Sequence, residues 1–121
     1  MDEIRLVCQK IHEAMDFKFQ YTEANYQRAL SSALQNIGFV CQSEVVIPYY
    51  ILGSYIGSGR ADIVAERDGK TYILELKLVT KGYYNADYFK GQCRKYIHHF
   101  EKPAEGLVIV FHSSGPAVFE L

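Results

Sequence analysis

Three charged residues interrupt a stretch that otherwise has the makings of a buried sheet. In ADIVAERDGKTYILELK, residues 61–77, Asp62 lies near one end and Glu75 and Lys77 near the other. The dipeptide Asp68-Gly69 between them is a two-residue hairpin signal. A turn centred there pairs Arg67 with Lys70, and counting outward sets Asp62 opposite Glu75. Their Cβ atoms are then about 5 Å apart, and Lys77, two residues on, shares their face. Ala61, Ile63, Ala65, Tyr72, Leu74, Leu76 and Leu78 take the other face as a core surface. Two facing carboxylates repel, so either one takes up a proton or a cation lies between them. Close-set oxygens with open coordination positions suit Mg²⁺ or Mn²⁺. The competing reading is a solvated polar face on which Lys77 and Arg60 neutralise the acids.

Two helices must bring further groups to this face. Thr22 can cap a helix that runs to Ile37 and stops at Gly38. Tyr26, Leu30, Leu34 and Ile37 form its apolar stripe, and Glu23 extends that stripe with a charge at the N-terminus, where the helix dipole favours an anion. An ordinary first-turn Glu facing sideways is the alternative. A later helix, Ala86 to Phe100, has the core stripe Phe89, Cys93, Ile97 and Phe100. Gln92 and Tyr96 flank it at i, i+4, placed to hold a phosphate or orient a lysine, or to make routine hydrogen bonds.

The remaining elements follow from periodicity. Ile4, Val7, Cys8, Ile11 and Met15 predict a first helix over 2–15. Residues 39–50 read as a strand, with Pro48 implying an edge. ILGSYIGSGR reads as a turn or flexible loop, without the GK[ST] ending of a phosphate-cradling loop. The hairpin strands cover about 60–66 and 70–79, and short strands follow at 106–111 and 117–120. The order ααβββαββ gives an α/β (α+β) fold, a mixed sheet flanked by helices.

Composition sets outer limits. The 121 residues, 49% hydrophobic and 22% charged, suit one globular domain, 1–121. A net charge of −1 argues against coating nucleic acid by bulk charge. Cys8, Cys41 and Cys93 form no CxxC pair, so neither a zinc ribbon nor a disulfide framework is expected. A reducing cytoplasm is the expected setting, a nucleoid or viral replication site being narrower versions of it. The N-terminus lacks the pattern of a signal peptide, and no stretch reaches membrane-spanning length. His98-His99 reads as an exposed pair or a phosphate contact rather than a metal pair, since adjacent helical residues diverge by about 100°. His12 reads as a surface or packing residue, and His112 has no evident partner. Tyr83, Tyr84 and Tyr88 can stack on unpaired bases or fill a core edge or a subunit interface.

Together these residues resemble the PD-(D/E)XK nuclease superfamily: an acid on an N-terminal helix (Glu23), an Asp on one strand (Asp62) and (D/E)-X-K on its partner (Glu75-Leu76-Lys77). Gln92-Cys93-Arg94-Lys95-Tyr96 matches the QxxxY motif of the RecB-like and lambda-exonuclease-like branch. TEANYQRAL, GRADIV and YILELK look most like the small GxxExxY family, although Gln20 stands where that name calls for Gly and Ala61 where the superfamily label has Pro. The resemblance implies a restriction-endonuclease-like core and a Mg²⁺-dependent deoxyribonuclease, with Mn²⁺ able to substitute. Metal-activated water would cleave DNA in an exonuclease or structure-selective endonuclease serving repair or replication. It implies Asp62, Glu75, the Leu76 carbonyl and Glu23 as metal ligands, Lys77 at the attacking water, and Gln92 and Tyr96 as orienting groups. Arg28, Arg60, Lys81, Lys90, Arg94 and Lys95 would contact the DNA backbone, and a small homodimer is the expected assembly. Two readings compete with it: a catalytically inactive nucleic-acid- or protein-binding module of the same fold, and a hydrolase of another phosphate ester.

Overall fold

The computed structural model describes residues 2–121. Helix α1 spans Asp2–Ala14, α2 Glu23–Asn36 and α3 Ala86–His99, and a 3₁₀ turn occupies Phe17–Phe19. The strands are β1 Val40–Ile51, β2 Ser54–Arg67, β3 Lys70–Val79, β4 Glu105–His112 and β5 Gly115–Glu120. The predicted order of helices and strands holds. Thr22 caps α2 as expected: its hydroxyl accepts from the Asn25 amide at 3.1 Å, and the Asn25 side chain accepts from the Thr22 amide at 3.0 Å.

All five strands form one sheet in sequence order, antiparallel except for the parallel pair β3–β4. That parallel step needs a crossover, which α3 supplies. Pro48 lies on β1, the sheet edge, where a missing amide proton costs no ladder bond. Helices cover both faces. On one face Ile4, Cys8, Leu30 and Leu34 of α1 and α2 pack against Ile63, Leu74, Leu76 and Phe111. On the other, Cys93 and Tyr96 of α3 pack against Val64, Ile73, Val108 and Val110. Burial on both sides makes β4 almost continuously apolar.

One expectation fails outright. ILGSYIGSGR is not a loop: Leu52 and Gly53, at φ 50 and 81, make a tight turn, and Ser54–Arg60 belong to a 14-residue strand. The glycines disguise that strand. Gly59 is there because a Cβ would collide with the Tyr49 hydroxyl and the Tyr96 ring.

At the other hairpin, Asp68 and Gly69 have φ 54 and 77, and the register runs from Arg67↔Lys70 to Ile63↔Leu74 as counted from sequence. The Arg67 guanidinium ties this turn to α1 through both oxygens of Glu3, at 2.8 and 3.1 Å, and covers the Phe39 ring at 4.3 Å.

Candidate active site

The β2–β3 ladder stops at Ile63↔Leu74, so Asp62 and Glu75 are not a paired rung. On the β1 side, pairing likewise skips from Ser43↔Ile63 to Val45↔Ala61, with Glu44 between at φ 54. The face pattern of β2 changes phase across this break. Ala61 packs with the α3 cluster and Ile63 with the α1–α2 cluster, whereas strict alternation set them on one face.

The break leaves β3 with amides to satisfy. Along a strand, alternate residues aim both N–H and C=O at the same neighbour, so Leu74, Leu76 and Leu78 all point toward β2. With β2 gone beyond Leu74, two carboxylates take its place. The Leu76 amide donates to Asp62 Oδ2 at 2.6 Å, and the Leu78 amide donates to Glu23 Oε1 at 2.8 Å. Glu23 thus reaches the sheet from the first turn of α2. One turn on, Gln27 Nε2 donates to the Asp62 carbonyl at 3.1 Å. Helix α2 therefore bridges the split, holding β3 with one side chain and β2 with the other.

Glu75 lies on the α3 side of β3 and is 2% exposed. Its Oε2 is buried with no hydrogen-bond partner among the described residues. Burial first, then its hydrogen bond to Asp62 and the Asp62 charge, push its carboxyl up to about 9 against the partial relief of Lys77. Lys77 is half-buried, its ammonium 5.5 Å from the centre of the Phe89 ring. Among the described residues, no group of three or more His, Cys, Asp or Glu side chains is arranged to hold a metal. What the gap does hold is two carboxylates, Asp62 and Glu75, bonded to each other, and the Leu76 carbonyl on the edge of β3 that faces them; Glu23, at the Leu78 amide, makes no three-carboxylate cluster with them. All are oxygens, and the unpartnered Glu75 oxygen lacks the positive neighbour that a cation would provide. The set fits a hard divalent ion.

Helix α3 closes the site from below. Tyr96 is 4% exposed, and its phenol lies at the Arg60 backbone and is pushed up to about 12 by burial and the neighbouring Glu75 charge. Gln92 is half-buried one turn earlier. Tyr49, from β1, joins Tyr96 over Gly59, and burial with the Glu75 charge raises its phenol too. Sequence reasoning missed Tyr49 and Gln27. Gln27 was open to discovery, because it stands at i+4 from Glu23 on the same helix face. Tyr49 was hidden by the misread hairpin.

The basic residues divide. Arg28, Arg60, Lys81 and Arg94 are exposed. Lys90 turns away, 4.0 Å from Asp87 and over the Phe119 ring, and Lys95 lies over Tyr49. Tyr83 and Tyr88 are exposed, whereas Tyr84 stacks on Phe89. His99 is not a free surface group: its Nδ1 accepts from the Tyr50 amide at 3.4 Å, and its ring packs on Tyr49. His112 does have partners, because Ser114 and the Gly82 carbonyl bind its two ring nitrogens. His12 packs against Phe17, and burial pushes the Cys8 and Cys93 thiols up to about 12, away from nucleophilic use.

A family model described as PD-(D/E)XK nuclease superfamily matches residues 1–118. No curated protein matches the sequence. Among solved structures, AF1548, a protein of unknown function, aligns at 20% identity and TM-score 0.56, over 74% of this chain and 47% of that one. SSO0001 aligns at 19% identity and TM-score 0.58, over 82% and 47%. Hjc, a Holliday junction resolvase of Archaeoglobus fulgidus, aligns at 20% identity and TM-score 0.53, over 80% and 75%. The chain thus spans about half the length of the first two. At these identities the likeness is one of fold, and the mixed sheet flanked by helices is the restriction-endonuclease-like arrangement of Hjc.

Proposed function

This chain belongs to the PD-(D/E)XK nuclease superfamily, and on that premise we propose that it hydrolyses DNA phosphodiester bonds at the split between β2 and β3. One observation carries the reading: a buried carboxyl, Glu75, in contact with Asp62 and left with an unpartnered oxygen, two residues from a lysine. A structural ion pair would have used that oxygen, whereas a site awaiting a cation leaves it free.

Asp62, Glu75 and the Leu76 carbonyl would hold the ion, with Glu23 acting directly or through water. Nucleases of this superfamily generally use a divalent metal, and Mg²⁺, with Mn²⁺ as substitute, is the choice for oxygen ligands. Such an ion supplies a lowered pKa for water and neutralisation of scissile-phosphate charge. The chain's own groups do the rest. Lys77 positions the attacking water and stabilises charge that develops on the phosphate. The water oxygen bonds to phosphorus, the bond to the leaving sugar oxygen breaks, and that oxygen takes up a proton. Tyr96 and Gln92, the proposed QxxxY pair, hold Lys77 and the phosphate from α3. Exposed Arg28, Arg60, Lys81 and Arg94 supply backbone contacts without sequence preference.

The reaction class is that of an exonuclease or a structure-selective endonuclease, with a homodimer as the assembly that would double the contacts to DNA. Linear and branched DNA incubated with Mg²⁺ or Mn²⁺ tests the reading. Asp62→Ala and Lys77→Ala should each lower the rate at least about 10²-fold. Cleavage unaffected by both substitutions would overturn it. A protein that binds DNA but never cuts it, with no Mg²⁺-dependent heat, would be an inactive module of the fold.

A further inference from the structure

We propose that the cleft beside Glu23 is a subsite for one unpaired nucleotide of the substrate strand, an inference that rests on the nuclease reading above. The cleft measures about 560 Å³, within the range of roughly 300–1,000 Å³ typical of pockets that enclose small organic ligands. It opens between the 3₁₀ turn and the C-terminal end of β3. Leu78, whose amide holds Glu23, forms part of its wall, so the cleft adjoins the Glu23 end of the proposed site.

The lining has the chemistry of a nucleotide site. Tyr21 and Phe17 offer ring surface, and Tyr21 is partly exposed at the mouth. Lys18 and Lys81 supply positive charge, and no carboxylate lines the cleft. Asp16, 3.6 Å from Lys18, takes up part of that residue's charge, whereas Lys81 has no ion-pair partner among the described residues. Gln20 and Thr80 add groups able to bond a base edge.

Gln20 supplies an independent observation. It has φ 55 and ψ 49 at the end of the 3₁₀ turn, a left-handed conformation that disfavours any residue with a Cβ. Its amide closes the turn on the Phe17 carbonyl at 3.0 Å, a bond that glycine would make without strain. What glutamine adds is a side chain, at a residue that lines the cleft. Glu44, Leu52 and Asp68 share a positive φ at turns or a strand break, whereas Gln20 carries it on a cleft wall, where a functional side chain would account for the strain.

The occupant is unpaired because stacking on a ring requires a free base face, and in a duplex neighbouring base pairs cover both faces. Ring surface with ammonium groups also binds any base, in keeping with phosphate contacts that carry no sequence information. Fluorescence anisotropy in EDTA, where turnover is blocked, compares a labelled single strand with the same sequence as a blunt duplex. The single strand should bind at least about ten-fold tighter. Tyr21→Ala and Gln20→Gly should each remove most of that difference and leave duplex binding unchanged. Gln20→Gly should keep or raise the melting temperature, opposite in sign to its effect on binding. If it lowers the melting temperature, Thr80→Val, at an exposed position of the same lining, makes the same test. Equal affinity for the two DNA forms, or an unaltered single-strand preference in the variants, overturns the subsite. Neither result touches the nuclease reading, which fails instead if cleavage is unaffected by both Asp62→Ala and Lys77→Ala.

Discussion

A carboxylate held in a dry place by another carboxylate is costly, and Glu75 makes that cost measurable. Its folded value, about 9, stands far above its ordinary value of 4.5. Between those two pH values the native protein keeps a proton that the unfolded chain has released. Stability from this group is therefore complete below about pH 4.5 and is lost as pH rises toward 9. Denaturant unfolding of the metal-free protein at pH 6 and pH 9 should give a lower midpoint at pH 9. Glu75→Gln should flatten that dependence and raise the pH 9 midpoint while lowering cleavage at least about 10²-fold. An inert structural acid would show neither change. Asp62, Glu75 and Lys77 were legible in the sequence because hairpin counting needs only a turn dipeptide and a period of two. The same counting made them a regular rung and set Ala61 beside Ile63, since nothing in the local pattern announces that β2 changes phase at Asp62. The compensations belong to long-range bonds, Asp62 to the Leu76 amide and Gln27 to the Asp62 carbonyl, which periodicity does not record.

At the scale of elements, α2 and the β1–β2 hairpin fix the site from opposite sides. Glu23 and Gln27 span the split from α2, so Gln27→Ala should free β2 there without unfolding the helix. Faster hydrogen exchange at residues 60–63, with the melting temperature lowered by no more than a few degrees, would check this. The hairpin is held by the fit of Tyr49 and Tyr96 over Gly59. Gly59→Ala should cost about 1–3 kcal/mol, because one added methyl meets the buried Tyr96 ring as well as the Tyr49 hydroxyl. Thermal unfolding should register several degrees. Gly53→Ala, with open space around its Cβ, pays only for a positive φ and should cost less. This contrast explains why ILGSYIGSGR reads as a turn or loop in the sequence. Glycine is scored as flexible in a sequence, but at Gly59 it marks a close approach between strand and helix. The helices were legible because a stripe such as Tyr26, Leu30 and Leu34 names its own face and Thr22 its own cap.

For the molecule as a whole, the separation of its two cores matters most. The sheet is buried by α1 and α2 on one face and by α3 on the other, so the fold does not depend on the polar split between β2 and β3. A divalent ion would then add stability by binding the native state alone, in proportion to its concentration over Kd. Because Glu75 must give up its proton to bind an ion, that gain is coupled to pH. The rise in melting temperature with millimolar Mg²⁺ should be larger at pH 8 than at pH 6, with protons released on titration. Asp62→Asn and Glu75→Gln should each abolish both signals while the apo protein stays folded. Differential scanning calorimetry with and without Mg²⁺, and isothermal titration in two buffers of different ionisation heat, would measure them. A rise that is independent of pH, or one that persists in Asp62→Asn, would place the ion elsewhere on the surface. The nuclease reading would then lose its chemical basis at this site, although the fold would stand.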